Sequence, residues 1–253
     1  MREYLTNSEL KIDNPAQRLL DILEAGTKLP DARNCRQAWI ELLNVEENNE
    51  QHLLSRLAKV MELPDRILQV RKDHFSTLRG NSTHWKTCVG NAFVSQSLNS
   101  SWQSFNQHID SRTISELSML SDLFETRGAH AAIEADETEA LLVKIIEFRG
   151  DIRSSELSST MKTMLLRQLS QLQEALESYS ISGIEPIMDA VQSTLGLAVI
   201  DPEYKEEIKS GSGSLFGDRI SSLLGDIANV VTVAGALPSL SAAIQTALSL
   251  LSK

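Results

Sequence analysis

The sequence predicts an all-α protein, a multi-helix bundle of antiparallel helical hairpins that ends in an apolar helical hairpin. Apolar residues recur at intervals of three and four positions through most of the chain, as expected for helices with one buried face. Asn14–Pro15, Glu185–Pro186 and Asp201–Pro202 each place a proline after a polar residue, and proline is favoured in the first turn of a helix. No run of Val, Ile and Thr alternates with polar residues, so the sequence does not predict strands.

The first helices are expected to form an antiparallel hairpin. One apolar stripe ends at Gly26 and the next begins at Cys35, with the short connection 27–30 between them. Short connections join helices that pack antiparallel. The stripes consist of Ala16, Leu19, Leu20 and Leu23, and of Cys35, Ala38, Trp39, Leu42 and Leu43.

Residues 1–125 are predicted to form an N-terminal helical domain. They contain all three tryptophans of the chain, and aromatic rings supply the largest apolar area per residue, so the tryptophans are expected to anchor one core. These residues are Trp39, Trp85 and Trp102.

Two local signals predict where further helices begin. Pro64 interrupts the stripe that runs from Leu53 to Phe75, and it should start a new helix or kink the existing one, because proline lacks the N–H of an intrahelical hydrogen bond. Thr113 and Glu116 have the spacing of a capping box, which predicts that a helix begins at Thr113.

Residues 126–208 are predicted to form a central helical region. Its main element is a long amphipathic helix, since apolar residues stay on one helical face from Leu157 to Tyr179 while polar residues fill the other. Residues 209–214 (KSGSGS) follow as a flexible linker by composition.

The C-terminal segment 209–253 carries the most informative feature of the sequence. After Asp226 no charged residue occurs until Lys253, so Ile227 to Ser252 is an uncharged stretch rich in Ala, Leu and Val on an acidic protein. A helix from Phe216 to Val231 and a second helix after Pro238 are expected to form an apolar hairpin, which requires burial against protein or lipid. Burial within or between protein subunits is the preferred interpretation.

Charge and cysteine content exclude some classes of function. The net charge is −10, and residues 111–253 carry 11 basic and 20 acidic side chains, so the chain is expected to repel nucleic acid. Two cysteines are too few for a disulfide framework, and the first residues show no secretory signal. A cytoplasmic location, with possible membrane association through the tail, is therefore expected.

No catalytic, cofactor-binding or metal-binding pattern is found. His84 and Cys88 are spaced to lie on one side of a helix, but the third and fourth ligands of a zinc motif do not accompany them. Acidic residues 134–139 fit the first turn of a helix, where carboxylates are favoured without an ion. The sequence therefore predicts no cofactor, no metal and no identifiable small-molecule ligand.

The sequence favours a helical protein–protein interaction or assembly subunit, or an adaptor, that binds a protein partner or a second copy of itself. An alternative is a membrane-acting effector of the toxin or defence type, which would release its C-terminal hairpin into a bilayer. A further alternative is an all-α enzyme without a recognisable short motif. The predicted interface residues are Phe216, Ile220, Leu224, Ile244, Leu248 and Leu251.

Overall fold

A computed structural model of the chain describes residues 14–76, 83–126, 133–201, 204, 206 and 214–233. These residues form eleven helices and no strand, with one isolated antiparallel bridge between Asn34 and Ser101. The all-α prediction is therefore confirmed. The antiparallel pairing of helices into hairpins stays a prediction.

The helices differ widely in length. In chain order they are α1 (Pro15–Thr27), α2 (Cys35–Leu42), α3 (Glu50–His74), α4 (His84–Ser95), α5 (Gln103–Asn106), α6 (Ser111–Glu125), α7 (Ala135–Ser154), α8 (Ser159–Glu177), α9 (Tyr179–Ser182), α10 (Glu185–Ile200) and α11 (Ser214–Val233).

The chain divides into two compact units. The N-terminal unit contains α1 to α6 together with Ser180–Ser182, and the C-terminal unit contains α7, α8, α10 and α11. The division of the sequence into 1–125, 126–208 and 209–253 stays a prediction.

The core of the N-terminal unit is built on aromatic rings. All three tryptophans are buried in it. The Trp39 and Trp102 rings meet edge to face with their centroids 5.2 Å apart, and Phe105 stacks on Trp102 at 4.9 Å. Both indole N–H groups are satisfied, since Trp39 donates to Gln96 Oε1 at 2.7 Å and Trp102 donates to the Gly26 carbonyl at 2.9 Å. The aromatic cluster therefore fixes α1, α2 and α5 together.

Asparagine and aspartate side chains start several of these helices. Asn14 accepts a hydrogen bond from the Gln17 amide at the start of α1, with Pro15 in the first turn as the sequence predicts. The capping box predicted at Thr113 is wrong. Asp110 caps α6 instead, by accepting from the Thr113 amide at 2.7 Å, whereas Thr113 itself is buried. The helix therefore begins at Ser111.

Helix α3 continues through Pro64 from Glu50 to His74. Of the two outcomes predicted for this proline, a new helix is therefore wrong and a kink stays a prediction. Proline inside a helix costs about 3 kcal/mol or more. Buried apolar residues lie on both sides of Pro64 along one face of α3, and their packing offsets that cost. They are Leu53, Leu57, Val60, Leu63 and Ile67.

The C-terminal unit is organised around α7 and α8. Helix α7 packs against both α8 and α11, and α8 also packs against α10. The predicted single helix from Leu157 to Tyr179 is shorter in the structure, because α8 ends at Glu177 and Ser178 turns the chain with its hydroxyl bonded to the Glu174 carbonyl. The apolar face nevertheless forms as predicted, with Met161, Leu165, Leu169, Leu172 and Leu176 buried.

The close approach of α1 to Trp102 gives a test of the aromatic core. A Cβ placed on Gly26 would lie 2.9 Å from Trp102 Cζ2, and the buried ring is held by its neighbours. Overpacking costs about 1–3 kcal/mol, whereas alanine gains about 1 kcal/mol over glycine inside a helix. We expect Gly26→Ala to lower the free energy of unfolding by about 1 kcal/mol in urea denaturation.

Gly90→Ala in α4 is the matched control, because no atom lies within 4 Å of the added Cβ. Here the helix propensity acts alone, and the variant should gain about 0.5–1 kcal/mol. Equal shifts of the same sign in the two variants would contradict the packing described for Trp102.

Candidate functional site

The structure places the described half of the predicted interface inside the C-terminal unit. Ile220 and Leu224 are 2% and 0% exposed, in the core that α11 shares with α7. Phe216 is half-buried and stacks on Phe148 with centroids 6.1 Å apart and the ring planes 7° from parallel. The predicted residues of the second stripe, Ile244, Leu248 and Leu251, lie outside the described residues. The first stripe is thus occupied by intramolecular packing.

Charged residues flank the contact between α7 and α11. Lys144 Nζ lies 2.8 Å from Asp226 Oδ2, and Arg219 pairs with Asp151. The Arg219 guanidinium also lies 4.6 Å from the centroid of the Phe148 ring, a cation–π contact. Exposed ion pairs of this kind contribute little stability each. The contact between α7 and α11, which we call the seam, therefore depends mainly on apolar burial, and the charges fix the register of α11 on α7.

A small cleft opens beside this seam. It has a volume of 160 Å³ and is lined by Lys144, Glu147, Phe148, Arg219 and neighbouring residues of α11. Pockets that bind small molecules usually measure about 300–1,000 Å³. The cleft is therefore too small to hold a typical substrate.

Apolar surface remains on the C-terminal unit after α11 has packed. Val143 and Ile146 are 48% and 57% exposed on the solvent-facing side of α7, one helical turn apart, where they can be covered together. Leu215 is also exposed, at the start of α11.

In the part of the chain that the structure describes, none of the helices combines the length and the apolar character needed to cross a membrane.

The N-terminal unit brings together three side chains of different chemistry, His84, Cys88 and Asp110, which we call the His–Cys–Asp cluster. His84 is the first residue of α4, Cys88 follows one turn later, and Asp110 caps α6, which packs against α4. His84 Nε2 lies 2.8 Å from Asp110 Oδ2 and 3.5 Å from Cys88 Sγ. One atom from each side chain can be chosen so that all three lie within 4.8 Å of one another.

Hydrogen bonds hold the Asp110 carboxyl in its ionised form. The hydrogen bond from the Thr113 backbone amide, with a smaller contribution from His84, lowers the pKa of Asp110 from 3.8 to about 2. Asp110 is therefore a carboxylate across the physiological range, with Oδ1 committed to the helix cap and Oδ2 turned toward the imidazole.

The cluster does not have the geometry of a nucleophile–base triad. In such a triad the nucleophile and the carboxylate contact opposite ring nitrogens of the histidine. Here the nearest approaches of Cys88 Sγ and Asp110 Oδ2 are both to Nε2, while Nδ1 lies 3.9 Å from the sulfur. Sulfur and oxygen thus converge on a single nitrogen atom.

The enzyme alternative would be supported by a deep pocket in which His84, His108 or His130 meets carboxylates. His84 meets Asp110 in the His–Cys–Asp cluster, and His108 has a buried Nε2 without a hydrogen-bond partner among the described residues. The third candidate, His130, lies outside them. No reacting group can be assigned from these positions.

The cap at Asp110 can be tested by two substitutions. Asp110→Ala removes the acceptor for the Thr113 amide and should lower the free energy of unfolding by about 1 kcal/mol at pH 7. Asp110→Asn keeps a capping oxygen but loses the charge, so it should lose less stability than Asp110→Ala at this pH. A loss in Asp110→Asn as large as that in Asp110→Ala would contradict the capping role.

The pH dependence of stability tests the ionised form. Because the folded-state pKa of Asp110, about 2, lies below its ordinary value of 3.8, the carboxylate stabilises the fold above pH 4. That contribution is lost as the pH falls from about 4 toward 2. Wild-type protein should therefore lose more stability over this interval than Asp110→Asn does, measured by urea denaturation in the presence of a chelator. Equal losses of stability in the two proteins over this interval would contradict the lowered pKa of Asp110.

Comparison of the chain with protein-family models, with curated proteins and with solved structures found no match.

Proposed function

We propose that this protein is a helical assembly subunit that associates with a second copy of itself through its C-terminal apolar segment, residues 234–252. The observation that supports the proposal is that the apolar face of α11 is already buried. Its apolar face is used within its own unit, yet the sequence continues without a charge from Ile227 to Ser252. The segment beyond α11 therefore needs a surface of its own.

The composition of residues 234–252 supports a protein surface. In a helix, Leu240, Ile244, Leu248 and Leu251 would fall on one side, and each side chain of this size contributes about 1.5–3 kcal/mol when it is fully buried. Small alanine and serine residues between them allow a second helix to approach closely. A self-complementary face of this kind suits a twofold dimer.

The exposed surface of the C-terminal unit supports self-association as well. Val143 and Ile146 on α7 offer apolar area on the same unit that carries the segment. Two copies related by a twofold axis would each supply both a segment and a surface.

Polar residues disfavour a lipid environment for the same segment. Pro238, Gln245 and three serines at 239, 241 and 249 reduce the gain from transfer into a bilayer. A protein interface tolerates these residues, because it can satisfy them with hydrogen bonds.

Light scattering on the full-length chain tests the proposal. The wild type should form a dimer whose population rises with protein concentration. The double variant Ile244→Asp with Leu248→Asp should remain a monomer with unchanged helix content, because two carboxylates would be buried without partners. Gln245→Asp with Ser249→Asp is the matched control, since it adds the same charge to the polar face of the predicted helix and should leave the dimer intact.

A wild type that stays monomeric at every concentration, or a double variant that keeps the size of the wild type, would contradict the proposal. A monomer that binds phospholipid vesicles and releases their contents would instead support the membrane-acting alternative.

Leu224 lies in the core, so its substitution should change the stability of the fold and not only the association of two copies. Leu224→Asp should lower the free energy of unfolding by at least about 3 kcal/mol, because it places an unpaired charge in the core between α11 and α7. Thermal denaturation followed by circular dichroism measures the effect. A variant that keeps the stability of the wild type would show that α11 does not pack as described.

A further inference from the structure

We propose that His84, Cys88 and Asp110 form a binding site for a zinc ion. The site lies in the N-terminal unit and is independent of the assembly function proposed for the C-terminal segment. A thiolate, an imidazole and a carboxylate are all zinc ligands, and the sulfur selects against magnesium and calcium, which prefer oxygen alone.

Two of the three ligand separations in the cluster are close to those of a tetrahedral zinc site. Zinc binds sulfur at about 2.3 Å and nitrogen at about 2.0 Å, so a tetrahedral angle separates these two ligand atoms by about 3.5 Å. Cys88 Sγ lies 3.5 Å from His84 Nε2. A nitrogen and an oxygen ligand are about 3.3 Å apart in the same geometry, and the observed distance from His84 Nε2 to Asp110 Oδ2 is 2.8 Å. To accommodate the ion, the carboxylate must shift outward by about 0.5 Å. The Cys88 side chain must also rotate, because its Sγ lies 3.9 Å from His84 Nδ1 and therefore beside the ring.

The fold brings all three ligands close together before any ion binds. His84 and Cys88 are four positions apart on α4, where side chains lie one above the other on one face of a helix. Asp110 is anchored by its cap, because Oδ1 accepts from the Thr113 amide at 2.7 Å while Oδ2 stays directed at His84. A ligand that is already oriented loses less conformational entropy on binding.

Metal binding requires defined proton positions. The Cys88 thiol loses its proton to the solvent, and His84 presents the lone pair of Nε2 while its proton resides on Nδ1. The Asp110 carboxylate contributes a negative charge without losing a proton. One thiolate and one carboxylate balance the charge of a divalent cation.

Three protein ligands leave the fourth position of a tetrahedral ion open. The side chains of His84 and Asp110 are 29% and 50% exposed, so water reaches the cluster. Zinc sites with three protein ligands and a bound water are of the open type, as opposed to closed structural sites with four protein ligands.

Cys35 provides the contrast within the same unit. It is fully buried, its Sγ lies 3.9 Å from Gln96 Oε1, and burial raises the pKa of its thiol. Cys35 therefore serves as the control cysteine, and the exposed His74 at the end of α3 serves as the control histidine.

The experiment uses the full-length, untagged protein after removal of metals, titrated with Co²⁺ and then with Zn²⁺. Wild-type protein should bind one Co²⁺ per chain and show thiolate-to-cobalt charge-transfer absorption. This absorption should disappear when Zn²⁺ displaces the Co²⁺. Cys88→Ser should abolish this absorption, while Cys35→Ala and His74→Gln should retain it. His84→Gln and Asp110→Asn should weaken Zn²⁺ binding at least about tenfold, the minimum lost when even an outer-sphere partner is removed.

Absence of the charge-transfer absorption in the wild type would overturn the proposal and leave a hydrogen-bonded cluster only. The same conclusion follows if Cys88→Ser and Asp110→Asn bind Zn²⁺ as tightly as the control variants. Asp110→Asn keeps the helix cap, and the spectrum of the wild type needs no substitution, so the test does not depend on the folding of any one variant.

Discussion

The packing of α11 on α7 is the interaction on which the functional interpretation depends. Because α11 buries Ile220, Leu224 and Ile227 in its own unit, these side chains are not available to bind a partner. The seam adds the Phe148–Phe216 stack and charged pairs at its edge, which fix its register more than its strength. The proposed assembly surface therefore lies in the residues after Val233, which continue without a charge to Ser252.

Helix packing produces a different surface feature in each of the two units. In the N-terminal unit, rings at the centre hold helices whose ends meet near the surface, and the contact of α4 with α6 creates the His–Cys–Asp cluster. In the C-terminal unit, the described helices form a core that leaves Val143 and Ile146 uncovered. A candidate metal site and a candidate assembly surface therefore lie on separate parts of the chain.

Periodicity was sufficient to predict the helical class and the buried faces of α8 and α11, because helix amphipathicity is a local property of the sequence. Predictions from local signals were wrong at two positions where tertiary contacts determine the structure. Pro64 stays inside α3 because burial on both sides outweighs a lost hydrogen bond, and Asp110 takes the capping role predicted for Thr113. The cluster could not be found from sequence, since Asp110 lies 26 positions from His84 and only the packing of α4 on α6 joins them.

Hydrogen exchange of the protein at two concentrations, one below and one above its association midpoint, separates internal burial from assembly. The backbone amides of α11 should be equally protected at both concentrations, because their burial is intramolecular. Amides of residues 237–251 should gain protection only at the higher concentration. Protection of α11 that depends on concentration, or protection of residues 237–251 that does not, would contradict the division of the uncharged segment into an internal and an assembling part.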